Sequence, residues 1–485
     1  MRASTLALGA ALLAASTVLS QSDQPSCGLD QKCPEDAPCC SMYGQCGVGA
    51  YCLGGCDPRS SFSIDSCMPA PVCEDRKMKM NGLDRIRDIS RYLGDPSEAD
   101  WVSQGEPVIT QGNVLLTMPR GSVGTVLSST VYMWYGNVKA RMRTSRGRGV
   151  ITAFILFSDV QDEIDYEWVG VDLQTAQTNY YFQGIPDYTQ SQNITQSDSF
   201  RNWHEYEINW TPDEISWIVD GEVERTKKRA DTWNATSQNF AFPQTPARVM
   251  LSIWPGGLES NAQGTIDWAG GVMDWEHPDI TEGPGYFYAA VSDVEMTCYG
   301  ADSPPGTNNG RSYTYTSTRG TNDTVVDGDE RTTLRSLLGT GLDRDRGEEE
   351  DEDGDEPTST RSGSSSSPTP TRRPNSIPGG GSIPGVTVPG SDEEDNNSGN
   401  NNGGGGSGGG DNGGDGGVPG GGDAGSGGNG NCDPRQFSQD EDACGSGGEA
   451  SGPEDAPSAG SWGQEKTKDA SAFAALVAVA GLFFI

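Results

Sequence analysis

Between positions 162 and 168 the chain reads Asp162-Glu163-Ile164-Asp165-Tyr166-Glu167-Trp168. Side chains alternate along a strand, so Glu163, Asp165 and Glu167 would share one face there. Ile164, Tyr166 and Trp168 would face the other way, into a core. On a helix Glu163 and Glu167 would meet while Asp165 pointed away, and the β-branched and aromatic neighbours favour the strand. Three acids in a row repel one another and make sense mainly if their charges are used. Glycosidic bond cleavage with retention uses them: one carboxylate attacks, and a protonated carboxyl serves as acid, then base. Neighbouring negative charge keeps one member protonated near working pH. Retention needs carboxyl groups ~5–5.5 Å apart, whereas Cα atoms four residues apart on a strand are separated by ~13 Å. The two glutamates must therefore lean together over a curved sheet, with Asp165 between them to orient the nucleophile and relay charge. The plainer alternative is a calcium-binding or merely acidic surface strand.

The elements that must position this row are strand-like. Val150 to Phe157 is apolar apart from Thr152. Tyr206, Ile208 and Trp210 alternate with Glu205, Glu207 and Asn209, and Ile215, Trp217 and Val219 alternate likewise. Thr211-Pro212-Asp213-Glu214 and Val219-Asp220-Gly221-Glu222 are turn signals between such runs. The pattern over 74–300 predicts an all-β fold, an antiparallel sandwich. Trp254, Trp268, Tyr181 and Phe182 could supply the aromatic surface that sugars stack on, although any one of them could serve the core instead. For His204, ahead of a strand, a structural hydrogen bond is the expectation.

Composition divides the rest of the chain. It has 485 residues, a net charge of -36, 67 glycines and 33% hydrophobic residues. That is too few apolar residues for one packed domain of this length. The acidity argues against nucleic acid as a partner. The two histidines, His204 and His277, make a histidine-rich zinc site unexpected and leave few bases for a Ser-His-Asp triad. No metal and no cofactor is expected. Nine of 12 cysteines fall between Cys27 and Cys73, which reads as a disulfide framework in an oxidising compartment.

Arg2 followed by the apolar run Leu6 to Leu19 reads as a secretory signal over 1–20. Ser458-Ala459-Gly460, a polar spacer and the terminal run Ala472 to Ile485 read as a GPI-anchor signal over 458–485, attached at Ser458 or Gly460. The 14-residue tail is shorter than the ~20 residues needed to span a bilayer. Residues 301–457 are rich in Gly, Ser, Asp and Asn and are expected to form a disordered, O-glycosylated stalk, with Cys432 paired to Cys444. Sequons at Asn193, Asn234 and Asn322 are the expected N-glycosylation sites; Asn209 and Asn396 also carry the pattern.

Two resemblances add to this reading. CGLDQKCPEDAPCCSMYGQCGVGAYCLGGC, residues 27–56 within a 21–73 module, resembles the hevein-like chitin-binding module, carbohydrate-binding family 18. The resemblance implies disulfides Cys27–Cys40, Cys33–Cys46 and Cys39–Cys52. Cys56, Cys67 and Cys73 then leave one thiol over, for which Cys298 is a candidate. It also implies that Ser41, Tyr43 and Tyr51 hold N-acetylglucosamine. Gln45 stands where that family usually has another aromatic, and a purely structural knot is the plainer alternative.

The acid heptad is similar to the E-[IL]-D-x-E signature of glycoside hydrolase family 16. That implies a curved β-jelly roll over 74–300, with Glu163 as nucleophile, Asp165 assisting and Glu167 as acid/base. TNYYFQG (178–184), WHEYEINWTPDEISWIVDG (203–221), FPQTPARVMLSIWPGG (242–257) and GTIDWAGG (264–271) resemble the fungal Crh-type enzymes of that family. Trp254, Trp268, Phe182 and Gln183 then become candidate substrate contacts. The implied protein is an extracellular, membrane-anchored transglycosylase. It would cut a chitin donor and join it to a β-glucan acceptor, crosslinking the cell wall. A chitin or β-glucan hydrolase and a non-catalytic chitin-binding wall protein are the alternatives.

Overall fold

Alternating apolar and polar residues become two stacked sheets. The computed structural model describes residues 24–347 and residue 378. One eight-stranded sheet runs in the order Gln192–Thr195, Thr175–Tyr181, Glu163–Val169, Val150–Ser158, Ala247–Pro255, Thr125–Met133, Trp101–Gln104, Ile86–Asp88. Only the last pair is parallel. The second, also eight-stranded, runs Glu222–Lys228, Glu214–Val219, His204–Trp210, Gly136–Arg143, Tyr286–Cys298, Asn113–Pro119, Val108–Thr110, with Arg76–Lys79 added on Tyr286–Cys298. The described α-helices are two short ones, Gln263–Trp268 and Pro278–Thr281. The chain is thus the antiparallel β-sandwich that the alternation predicts.

The core lies between the sheets. Phe154, Leu156, Ile164, Tyr166 and Trp168 from the first meet Tyr206, Ile208, Trp210 and Trp217 from the second. Tyr166 and Trp168 stack with ring centroids 5.7 Å apart, and Trp168 lies 4.5 Å from Tyr206. Each such side chain contributes on the order of 1.5–3 kcal/mol by leaving water. Burying this face of the acid strand fixes its register, because a slip of one residue would drive the acids into the core.

Residues 24–69 carry little regular structure beyond the paired strands Cys39–Cys40 and Cys46–Gly47. Disulfides Cys27–Cys40, Cys33–Cys46, Cys39–Cys52 and Cys56–Cys67 hold this module. Cys73 is bonded to Cys298, at the end of the long strand Tyr286–Cys298. The module is docked on the sandwich. Gly54 lies against the Arg248 guanidinium, so close that a Cβ there would sit 2.4 Å from a guanidinium nitrogen. Gly55 donates its N–H to Asp159 Oδ1 at 2.9 Å and to the Tyr132 hydroxyl at 3.0 Å.

The boundary expected at residue 300 is corrected. Strands Ser312–Tyr315 and Val325–Gly328 form a three-stranded sheet with Ala70–Pro71. Tyr313, Val325 and Leu334 are buried, and Tyr313 meets Trp134 edge-on at 5.6 Å. Leu334 packs with Leu53 and Tyr51 of the module. Gly49 donates to the Gly339 carbonyl, and Gly341 to that of Ser66. A few apolar residues in a polar stretch therefore clamp the module to the sandwich as far as residue 347. The leader, the remaining stalk apart from Pro378, Cys432 and Cys444, Asn396 and the anchor signal lie outside the described residues.

Candidate active site

The strand Glu163–Val169 lies in the interior of its sheet, between Thr175–Tyr181 and Val150–Ser158. Its apolar residues point to the core, so Glu163, Asp165 and Glu167 occupy the outer face. Tyr181, Asn179 and Gln177 stand opposite them on one neighbour. Phe157, Ile155 and Ala153 stand opposite on the other. Residues directly opposite share a face, so the acids have a polar row on one side and an apolar strip on the other.

Asp162 locks the entry to this strand. Its carboxylate accepts from the backbone N–H groups of Gln183, Gln244 and Thr245 and from the Thr245 hydroxyl, at 2.7 to 3.1 Å. The sequence reading assigned it no role, because its partners lie on distant turns. From the core side, Trp217 Nε1 donates to the Asp165 carbonyl at 3.0 Å. The Arg225 guanidinium lies 4.2 Å over the Trp217 ring and donates to Thr178 O and Oγ1 and to Gln190 O. Arg225 also lacks any short-range motif and was missed.

Glu163 is 3% exposed and Asp165 1%, whereas Glu167 is half-buried. Burial, and then the Asp165 charge, hold Glu163 well above the usual carboxylate range. Burial and Asp165 do the same to Glu167. Burial pushes Asp165 up to about 7, opposed by its contact with Glu163 and by the Arg225 charge. Glu163 Oε1, both Asp165 oxygens and Glu167 Oε1 receive no hydrogen bond from other described groups, which leaves a shared proton between Glu163 and Asp165 as their satisfaction. Burial and mutual repulsion therefore favour the protonated forms within the row, and acids this close lose their protons as a set. Such a cluster can offer both an ionised carboxylate and a protonated carboxyl, the two states a retaining glycosidase needs.

Next to the acids, Asn179 Nδ2 donates to the Tyr181 hydroxyl at 2.5 Å, and Trp268 Nε1 to Gln177 Oε1 at 2.8 Å. Gln177, Asn179 and Tyr181 repeat the period of the acids on the neighbouring strand, a signal that could have marked them. Beyond Tyr181 the surface opens into a cavity lined by Phe182, Ile185, Trp233 and Asn239.

Of the aromatic substrate contacts expected, half-buried Trp268 stands beside the acids. Trp254 is fully buried beneath it, ring centroids 6.0 Å apart, and supports Trp268 instead of presenting a platform. Phe182 is also buried, although it borders the cavity. Gln183 spends its amide on the carbonyls of Arg319 and Gly320, which ties the C-terminal extension to the sandwich.

The sugar face expected on the module is not presented to solvent. Ser41, Tyr43 and Tyr51 are all buried. Tyr51 packs on Gly47, where a Cβ would lie 2.2 Å from the ring. Tyr43 packs against the sandwich, with its hydroxyl donating to Gln104 Oε1 at 2.5 Å. His204 is bonded to Asp220 and Ser197, a structural arrangement. Asn193 and Asn234 are exposed, whereas Asn322 is half-buried. Asn209 accepts from the Tyr299 hydroxyl.

Residues 95–270 match the model of glycosyl hydrolases family 16. The chain is 63% identical over 316 residues to Crh-like protein 3 of Botryotinia fuckeliana, covering 65% of this chain and 71% of that protein. It is 50% identical over 336 residues to Crh-like protein 2 of Aspergillus fumigatus, covering 69% and 76%. Among solved structures, a Crh5 transglycosylase in complex with NAG is 27% identical, with a TM-score of 0.44 over 54% of this chain and 95% of that one. The chain belongs to the Crh-like proteins of glycosyl hydrolase family 16.

Proposed function

We propose that this protein is a cell-wall transglycosylase that cleaves chitin with retention and passes the new reducing end to a β-glucan acceptor. The observation that carries this reading is the acid row on the outer face, with Glu163 and Asp165 buried and Gln177, Asn179 and Tyr181 beside it. The Crh5 relative is named a transglycosylase and was solved with NAG. Glu163, ionised, attacks the anomeric carbon. The bond to the leaving oxygen breaks, and Glu167 gives that oxygen its proton. An acceptor hydroxyl then passes its proton to Glu167 while its oxygen takes the anomeric carbon from Glu163. Asp165 orients Glu163 and shares its charge. Transfer outruns hydrolysis when the acceptor is held in line and water is kept out.

The leader and anchor signals extend the proposal to a secreted protein held at the outer face of the plasma membrane and in the wall. Chitin binding belongs in this reading to the cleft. The test incubates the secreted protein with a chitin oligomer and a fluorescent laminarin oligosaccharide, beside Glu163→Gln, with products analysed by mass. A labelled hybrid absent from the variant is the expected result. Shortened chitin without a hybrid would make the protein a hydrolase. Chitin binding without any product, across a panel of donors and acceptors, would make it a binding protein.

A further inference from the structure

The apolar strip beside the acids is covered by the N-terminal module. Phe157, Ile155 and Ala153 are buried, together with Met250 and Val126 further along the same face, and the ring that packs among them is that of Tyr43. The register continues the strip outward: Met250 stands opposite Ile155, Ser128 opposite Met250, and Gln104 opposite Val126. Gln104, on the next strand out, accepts the Tyr43 hydroxyl. On the other side of the acids the facing residues are Gln177, Asn179 and Tyr181, of which Tyr181 also borders the cavity at Phe182 and Trp233. The face is thus stopped by Tyr43 on one side of the acid strand and bordered by polar side chains on the other.

We propose that Tyr43 ends the substrate cleft and fixes how many sugar units it accepts on that side. This rests on the acid row being the reaction centre. Tyr43 packs on residues of three neighbouring strands, a strip about 10 Å across at ~4.8 Å between strands, which is the length of about two sugar units. The position is held firmly. Gly55 is bonded to Asp159, three residues before Asp162, so the module is tied to the turn that leads into the acid strand. The extension to residue 347 clamps it from the other side through Gly49 and Gly341. Tyr43 is not needed to hold the module together, because four disulfides do that. The number of sugar units toward the module is therefore capped by a side chain.

The test measures binding of chitin oligomers of increasing length to the full secreted protein carrying Glu163→Gln, which prevents turnover. Affinity is expected to rise with length and then level off. Adding Tyr43→Ala removes the stop, so longer oligomers should gain on the order of tenfold past that plateau. In the active protein the same change should lengthen the products. Tyr43→Phe keeps the ring and should keep the original plateau. Gln104→Ala, which removes the Gln104 acceptor of the Tyr43 hydroxyl, should shift the plateau partway and serves if Tyr43→Ala is not secreted. An unchanged plateau and product spectrum in a Tyr43→Ala protein with an unaltered melting temperature would overturn the proposal. If the protein binds β-glucan oligomers and not chitin, the same length series on that ligand tests Tyr43, and only the donor assignment falls. If it binds neither, both fall.

Discussion

Trp217 on one sheet holds the backbone carbonyl of Asp165 on the other at 3.0 Å, and Arg225 lies over the same indole at 4.2 Å. The middle acid is therefore backed by a buried cation. Burial lowers the Arg225 pKa to about 10, so it stays charged at neutral pH, and its charge opposes the rise at Asp165. Arg225→Met should raise the pKa values of the row and move the acid limb of the activity profile to higher pH. It also strands the Thr178 and Gln190 carbonyls, which costs on the order of 3 kcal/mol. Arg225→Lys should keep the limb in place while losing part of that stability. A pH–rate profile beside a melting curve separates the two effects, and an unmoved limb in Arg225→Met would disprove the electrostatic link.

Substitutions in the row itself should divide by role. Glu163→Gln should abolish turnover with every donor, because no covalent intermediate can form. Glu167→Gln should slow chitin cleavage by roughly a hundredfold to ten-thousandfold. A donor with a good leaving group needs no proton in the first step, so it should recover that step in Glu167→Gln and not in Glu163→Gln. Kinetics with an activated chitin-oligomer glycoside provide the check. Equal recovery in both variants would mean the roles are assigned wrongly.

The acid strand was legible because a period of two is local. Seven consecutive residues state both which face is buried and which carries charge, and no distant contact is needed to read them. Docking of the module was not legible. Tyr43 meets Gln104 across 61 positions, and nothing near Tyr43 distinguishes a ring that stacks on sugar from one that packs on a sheet. Trp254 failed for a related reason. Its alternation places it on the outer face opposite Ile151, but Trp268 on the short helix Gln263–Trp268 covers it. The segment 301–347 was hidden by averaging: its polar composition outweighs Tyr313, Val325 and Leu334, which decide its packing.

Buried acids set a pH dependence of stability, Glu163 and Glu167 acting in the same direction as three aspartates. Burial raises Asp159 and Asp162 to about 6 and Asp165 to about 7, from an ordinary value of 3.8. Between those limits the folded chain holds protons that the unfolded chain has released. Stability from this source is full below 3.8 and is lost as pH rises through the folded values. Asp293, Glu295 and Asp323 are shifted the other way by Lys79, Lys77 and Thr321, but these pairs lie at the surface and contribute little. The melting temperature should therefore decline from mildly acidic to neutral pH, and Asp165→Asn should flatten the upper part of that decline. Calorimetry across this range tests it; a melting temperature that rises toward neutrality would contradict the buried-acid account.

Truncation supplies a sharper test of how the fold is held. A chain ending at residue 300 keeps both eight-stranded sheets and the Cys73–Cys298 bond, and a composition-based boundary would call it complete. It loses Tyr313, Val325 and Leu334, each worth on the order of 1.5–3 kcal/mol of burial. It also leaves Trp134 without its edge-on partner and Gln183 without the carbonyls of Arg319 and Gly320. The module loses the clamp at Gly49 and Ser66. A chain ending at 347 keeps all of these contacts. The shorter protein should be secreted poorly or melt well below the longer one, and its module should become accessible to protease while the sandwich resists. Equal melting temperatures and equal protease patterns would show that the extension merely lies on the surface.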